Sequence, residues 1–226
     1  MFFLFPKRKL NISLPHYLNN IMSELKEQIK FKAFQTFLKY GFRSVTMDDL
    51  CKELTMSKKT LYQFFSNKEE LLTECIASFQ ARNQEQSDAI QKEASNPIEL
   101  IFLVFRHFMK EAQQNNHQKY LDLKKYYFDI WENANSCNEH YVINKILDNL
   151  KEGKKAGLYR EDLNEKIIAK LFYQKTLLLS DQDFFPINEF RPVEVIHELV
   201  VYHLNGICTD KGRKLINDYI IKYFNN

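Results

Sequence analysis

Residues 57–72 read SKKTLYQFFSNKEELL. Ser57 is a residue type that caps helix N-termini, because its hydroxyl can accept from a backbone N–H one turn on. Leu61, Phe64 and Phe65 follow at helical spacing and predict a short helix to about Phe65 with those three side chains inward. That leaves Lys58, Lys59, Thr60, Tyr62 and Gln63 on the outer face. Ser66 or Asn67 caps the next helix, which opens Lys68-Glu69-Glu70 and carries Leu71, Leu72, Cys75, Ile76 and Phe79 on one stripe. A short helix with a basic front and an aromatic back needs a partner that is both anionic and grooved.

Upstream, Leu25, Ile29, Ala33, Phe34, Phe37 and Leu38 mark a first helix whose wet side holds Lys26, Lys30, Lys32 and Lys39. Gly41 stands where a helix commonly ends. Thr46 caps a short second helix, with Asp48 and Asp49 in the first turn and Met47, Leu50, Cys51 and Leu54 inward. Thr55-Met56-Ser57 is then a tight turn. Two short helices joined by three residues and packed on a preceding helix form a helix-turn-helix unit, whose second helix can enter the DNA major groove. There lysines neutralise phosphates or donate to guanine, Thr and Gln reach base edges, and a tyrosine hydroxyl anchors a phosphate. Thr46 and Lys68 stand at the starts of the flanking helices, where free backbone N–H groups favour an anion.

Charge agrees with this placement. The net charge of the 226 residues is +3, but residues 1–72 hold 12 Lys+Arg against 7 Asp+Glu, and the remainder is slightly acidic. One basic end on an acidic body suits presentation to a polyanion.

These residues resemble the TetR family of transcriptional regulators over positions 24–76. The resemblance rests on Tyr40-Gly41-Phe42, Val45-Thr46, Asp48-Asp49-Leu50, Ser57, Thr60-Leu61-Tyr62, Phe64-Phe65, Lys68-Glu69 and Leu71-Leu72. It implies that Thr46, Tyr62 and Lys68 contact phosphates, and that Lys58, Lys59 and Thr60, beside Ser57 and Gln63, face the groove of a double-stranded DNA operator. Lys59 departs from the small residue common in the family, so operator specificity does not transfer from relatives. It also implies a homodimer and an unidentified small-molecule inducer.

The rest of the chain reads as helices. Five Gly and five Pro are few for 226 residues, 45% are hydrophobic, and no strand alternation or repeat stands out. The expected fold class is all-α. Residues 1–21 would be an N-terminal extension, disordered or an upstream start choice, because Pro6 and Pro15 interrupt any helix there. Residues 22–70 would be the DNA-binding domain and 71–226 a helical ligand-binding and dimerisation body.

In that body a long polar helix should break at Asn96-Pro97, and an apolar helix should run from Ile98 to about Gln114. Asn115-Asn116 would form a loop. Residues 120–150 would be one or two helices, interrupted around Asn133–Asn138, with Gly153 and Gly157 marking a turn. Helices over 165–179, 192–205 and 211–224 complete the chain. Phe105, Phe108, Met109, Tyr126, Tyr127, Trp131 and Phe172 are the candidate ligand-pocket residues, against a plain core reading. The segments 167–179 and 193–204 carry more apolar residues than one buried stripe needs. Ile168, Leu171, Phe172, Val195, Ile196, Leu199, Val200 and His203 are therefore the candidate dimer face, against a central position in a monomer core.

Cys51, Cys75, Cys137 and Cys208 make no ligand cluster and read as reduced structural thiols in a cytosolic protein. No metal, cofactor or catalytic constellation is expected, no apolar run is long enough to span a membrane, and the chain should be soluble and not an enzyme. Two other readings stay open: a small-molecule-binding or assembly protein whose helix-turn-helix only packs, and a regulator that senses oxidants through Cys51 or Cys75.

Overall fold

The computed structural model describes residues 14–112, 117–179, 181 and 183–224, and among them are ten α-helices. They are α1 (Leu14–Tyr40), α2 (Met47–Glu53), α3 (Lys58–Phe64), α4 (Lys68–Glu93) and α5 (Pro97–Ala112). After these come α6 (His117–Tyr126), α7 (Phe128–Lys155), α8 (Glu165–Leu178), α9 (Pro192–Ile207) and α10 (Asp210–Phe224). The expected loop at Asn115-Asn116 and the first part of the expected extension lie outside the described residues. The chain divides into two compact units, the first closing at Phe79 and the second opening at Gln80.

In the first unit α1 supplies Ile29, Ala33, Phe34 and Phe37, all nearly inaccessible, and Phe37 stacks on Phe42 with centroids 5.9 Å apart. Leu50 of α2, Leu61 of α3 and Leu71 and Leu72 of α4 close over them at 0% exposure. Each such side chain contributes roughly 2 kcal/mol by leaving water, so the short helices hold through packing rather than through length. The unit continues to Phe79 rather than stopping at residue 70, because Cys75 and Ile76 are buried and Phe79 packs on Phe34 with centroids 4.8 Å apart. α1 begins at Leu14, earlier than the proline argument predicts. Pro15 falls in the first helical turn, where no backbone N–H is needed, and so starts the helix instead of breaking it.

The second unit is centred on Phe102 and Phe105 of α5, Leu150 of α7, Phe172 of α8 and Val200 and Leu204 of α9. The break expected at Asn133–Asn138 is absent, since those residues are helical within α7; the chain breaks instead at Tyr127. Nothing in 133–138 breaks a helix as Pro does, and polar residues are tolerated on its exposed side. Gly153 is likewise helical rather than part of the turn. The reason is a close approach: a Cβ there would lie 1.9 Å from Cδ2 of Tyr159. Gly157, at φ +68°, makes the turn, with its N–H donating to the Lys154 carbonyl and Leu158 N–H to that of Gly153. The fully buried Tyr159 then donates from its hydroxyl to Asn149 Oδ1 at 3.0 Å.

Candidate nucleic-acid interface and ligand cavity

Local chemistry builds the reading surface. At the start of α2, Thr46 Oγ1 accepts from Asp49 N–H at 3.2 Å while Thr46 N–H donates to Asp49 Oδ2 at 3.1 Å, a reciprocal cap. α2 ends with Thr55 N–H donating to the Lys52 carbonyl and Met56 N–H to that of Cys51. That pattern needs a left-handed residue, and Thr55 supplies it at φ +53°. The bend aims α3 away from α2. Ser57 Oγ accepts from Thr60 N–H at 3.1 Å and starts α3.

The outward row is as the spacing predicts. Lys58, Lys59 and Gln63 are exposed and Tyr62 is 48% exposed, whereas Leu61 and Phe65 are buried beneath them. Thr60 is half-buried, and its hydroxyl lies 2.8 Å from that of Ser57, so it is committed to the cap as much as to the face. Lys58 Nζ lies 2.7 Å from Asp48 Oδ2, which raises the ammonium pKa and keeps it charged. Lys68 donates to the Arg43 carbonyl at 3.1 Å and holds its ammonium 5.7 Å from the Phe37 ring centroid. That tether orients Lys68 beside the segment joining α1 to α2. The Asp48 contact was missed in the sequence, although an acid at the front of α2 and a lysine at the front of α3 were both visible.

In the second unit a cavity of about 150 Å³ opens between α4, α5, α7, α8 and α9. Of the seven expected pocket residues, Phe105 and Phe172 line it, with ring centroids 6.0 Å apart. The other five do not. Phe108 and Met109 pack against the core, Trp131 lies against Phe128 with Lys124 over its ring, and neither Tyr126 nor Tyr127 is on the wall. The break at Tyr127 reorients the start of α7, so the aromatic stripe counted through it does not continue inward. The wall comes instead from Tyr141, Lys145 and Asn149, one helical stripe of α7, facing Ile101 and Val104 of α5. Polar residues at i, i+4 and i+8 along an otherwise apolar face were the available signal.

The expected dimer face needs a similar correction. Phe172, Ile196, Val200 and His203 are buried at 6%, 2%, 0% and 7%, so the protomer's own core uses them. Ile168, Val195 and Leu199 are half-buried. The accessible apolar surface is rotated outward: Ile167 and Leu171 on α8 and Tyr202 on α9 are each more than half exposed. Lys175 places its ammonium 4.7 Å from the Tyr202 ring centroid, so the outer faces of the two helices adjoin.

Cys51, Cys75 and Cys208 are buried, and burial pushes the Cys208 thiol up to about 12. Cys137 is exposed and so is not a core thiol. A thiol so disfavoured as thiolate makes Cys208 a poor target for an oxidant.

Residues 32–75 match the family model described as bacterial regulatory proteins, tetR family. The chain is 24% identical over 190 residues to the HTH-type transcriptional regulator YvaF of Bacillus subtilis (strain 168), covering 83% of this chain and 97% of the relative. In fold it is similar to SCO4454, a TetR-family transcriptional regulator from Streptomyces coelicolor, with TM-score 0.64 and 16% identity over 81% of this chain and 94% of the other. It is similar also to SmeT, the repressor of the Stenotrophomonas maltophilia multidrug efflux pump SmeDEF, with TM-score 0.65 and 14% identity over 82% and 91%. Among the described residues no helix is long and apolar enough to cross a membrane.

Proposed function

We propose that this chain, a DNA-binding transcriptional regulator belonging to the TetR family of bacterial regulatory proteins, acts as a homodimeric repressor released by a small molecule. The observation that carries the reading is the outer row of α3. Lys58, Lys59, Tyr62 and Gln63 stand together in solvent on a helix capped at its front by Ser57. In this reading Gln63 meets base edges, Lys58, Lys59 and Tyr62 meet the phosphates that line the groove, and Thr46 and Lys68 fix the flanking backbone.

A single helix-turn-helix reads one half-site, and a two-fold dimer places two such helices about 34 Å apart in successive major grooves. The outward apolar face of α8 and α9, with Ile167, Leu171 and Tyr202, is the proposed contact between copies. α4 is shared: its first half belongs to the first unit, and Ser87 and Gln91 in its second half line the cavity. A ligand that favours one placement of α4 would change the separation of the two reading helices by population shift. The fold likeness to the SmeT repressor supports the repressor reading.

Selection of bound duplexes from a random pool tests this. The expected product is a palindrome of two half-sites bound by two copies of the chain. An unenriched pool, or a single half-site bound by one copy at equal affinity, contradicts the proposal.

A further inference from the structure

The cavity in the second unit holds one polar group that its surroundings leave unused. His203 of α9 lines it, is only 7% exposed and stacks face to face on Phe172 with centroids 3.6 Å apart. Its ring makes no hydrogen bond among the described residues, and none of their side-chain nitrogens or oxygens is both sealed off and unpaired, so the imidazole edge opens on the cavity. The half-buried polar groups of the wall are already engaged. Asn149 donates to the Pro97 carbonyl at 2.8 Å and accepts from Tyr159. Tyr141 donates to the Gln84 carbonyl or to Asp88, each at 3.2 Å. Lys145 is paired with Asp88 at 2.5 Å and donates to Gln91 at 2.8 Å. Ser87 is half-exposed at the rim.

A ligand that displaces water from this edge must bond it or leave it unsatisfied, and the second outcome costs free energy. We infer that the cavity takes a neutral, ring-sized molecule, mostly apolar, whose single hydroxyl or carbonyl group hydrogen-bonds to His203. This rests on the ligand-release reading and names the class of ligand.

Size, shape and charge each narrow the class. A cavity of about 150 Å³ lined mainly by apolar surface is the size that holds one benzene ring. Phe105 and Phe172, set edge to face, offer an aromatic wall to that ring. The charge of the wall is compensated, because Lys145 already faces Asp88. His203 is neutral, since burial and then the nearby Lys175 push its imidazole down to about 3. A carboxylate would therefore enter without a free cation, whereas an alcohol or ketone finds one donor or acceptor as its tautomer requires.

Toluene, benzyl alcohol and benzoate compare these cases at nearly constant size. Binding to the full chain is read by calorimetry, and release of the selected duplex is read separately. Benzyl alcohol should bind about 3–10-fold more tightly than toluene, and benzoate at least about 100-fold more weakly than benzyl alcohol. His203→Phe, which keeps a ring on Phe172, should erase the preference for the alcohol, and His203→Gln should restore part of it. Should His203→Phe not fold, nitrogen shifts of the His203 imidazole in the unsubstituted chain serve instead: benzyl alcohol should move them and toluene should not. Equal affinity for toluene and benzyl alcohol, tighter binding of benzoate, or an unmoved imidazole would overturn the inference. Binding with the expected order but without duplex release would uphold the anchor and sink the release reading. Release by benzyl alcohol unchanged in His203→Phe would do the reverse.

Discussion

Lys58 is held by Asp48, while Lys59, one residue on, is exposed beside it, and this difference sets what each can do on DNA. A lysine paired with a carboxylate delivers less net charge to a phosphate, and the carboxylate itself repels the backbone. Asp48→Asn should therefore tighten binding to DNA of any sequence by roughly 3–10-fold at low salt and steepen the salt dependence, measured on a non-operator duplex. Thr55 poses a separate question, because a β-branched residue at φ +53° is strained where glycine is not. Thr55→Gly should stabilise the first unit by roughly 1 kcal/mol, read as a higher denaturant midpoint, with no change in DNA affinity if the turn geometry is kept. Cap residues such as Thr46 and Ser57 were readable directly, since their chemistry is local. The positive φ of Thr55 was not, because nothing in a threonine announces it; only the Schellman pattern that encloses it does.

Helices show where local reading fails. α2 and α3 carry unambiguous caps and inward stripes, so their bounds follow from the sequence. α7 does not: a polar run within it suggested a break, yet packing on one side suffices to keep it helical, and the actual interruption at Tyr127 has no Gly or Pro to mark it. The pocket and dimer-face residues were only partly legible for a related reason: Phe105, Phe172 and Leu171 stand where expected, and others of each set do not. Apolar excess shows that a helix has more than one buried stripe, but which stripe meets the core depends on the rotation of α8 and α9, a tertiary property.

Two predictions belong to this scale. Gly153→Ala places a Cβ inside the Tyr159 ring and should cost roughly 2–3 kcal/mol, read as a lowered thermal midpoint of the second unit. Glu99, buried in the first turn of α5, ties it to α10 by accepting from Lys222 at 2.8 Å and Tyr223 at 2.7 Å. Burial would raise its pKa, but the bonds from Lys222, Ser95 and Tyr223 outweigh this and hold it at about 2 against an ordinary 4.5. The unfolded chain takes up that proton near pH 4.5 and the folded chain only near pH 2. The stabilisation, on the order of 2–3 kcal/mol, is full above pH 4.5 and lost as pH falls toward 2. In Glu99→Gln the acid-side loss should be shallower and stability at pH 7 lower; an unchanged stability–pH curve would contradict the account.

At the scale of the molecule, affinity depends on two reading helices acting together. Leu171→Glu with Tyr202→Glu puts charge into the proposed contact between copies and should yield monomers by light scattering. Operator affinity should then fall by roughly 100-fold or more, because the second half-site no longer binds at high effective concentration. A dimer that survives both changes would move the contact elsewhere on the surface.

The most direct test of the whole account is the salt dependence of operator binding, compared between the unsubstituted chain and the Lys59→Ala/Tyr62→Ala variant. Each lysine that neutralises a phosphate adds about 0.9 to the slope of log K against log salt, so a dimer losing Lys59 twice should shed up to about 2 from it. The account predicts a steep slope for the unsubstituted chain, and for the variant a shallower slope with affinity reduced to the non-specific level. Equal slopes and equal affinities would show that DNA does not meet the outer face of α3.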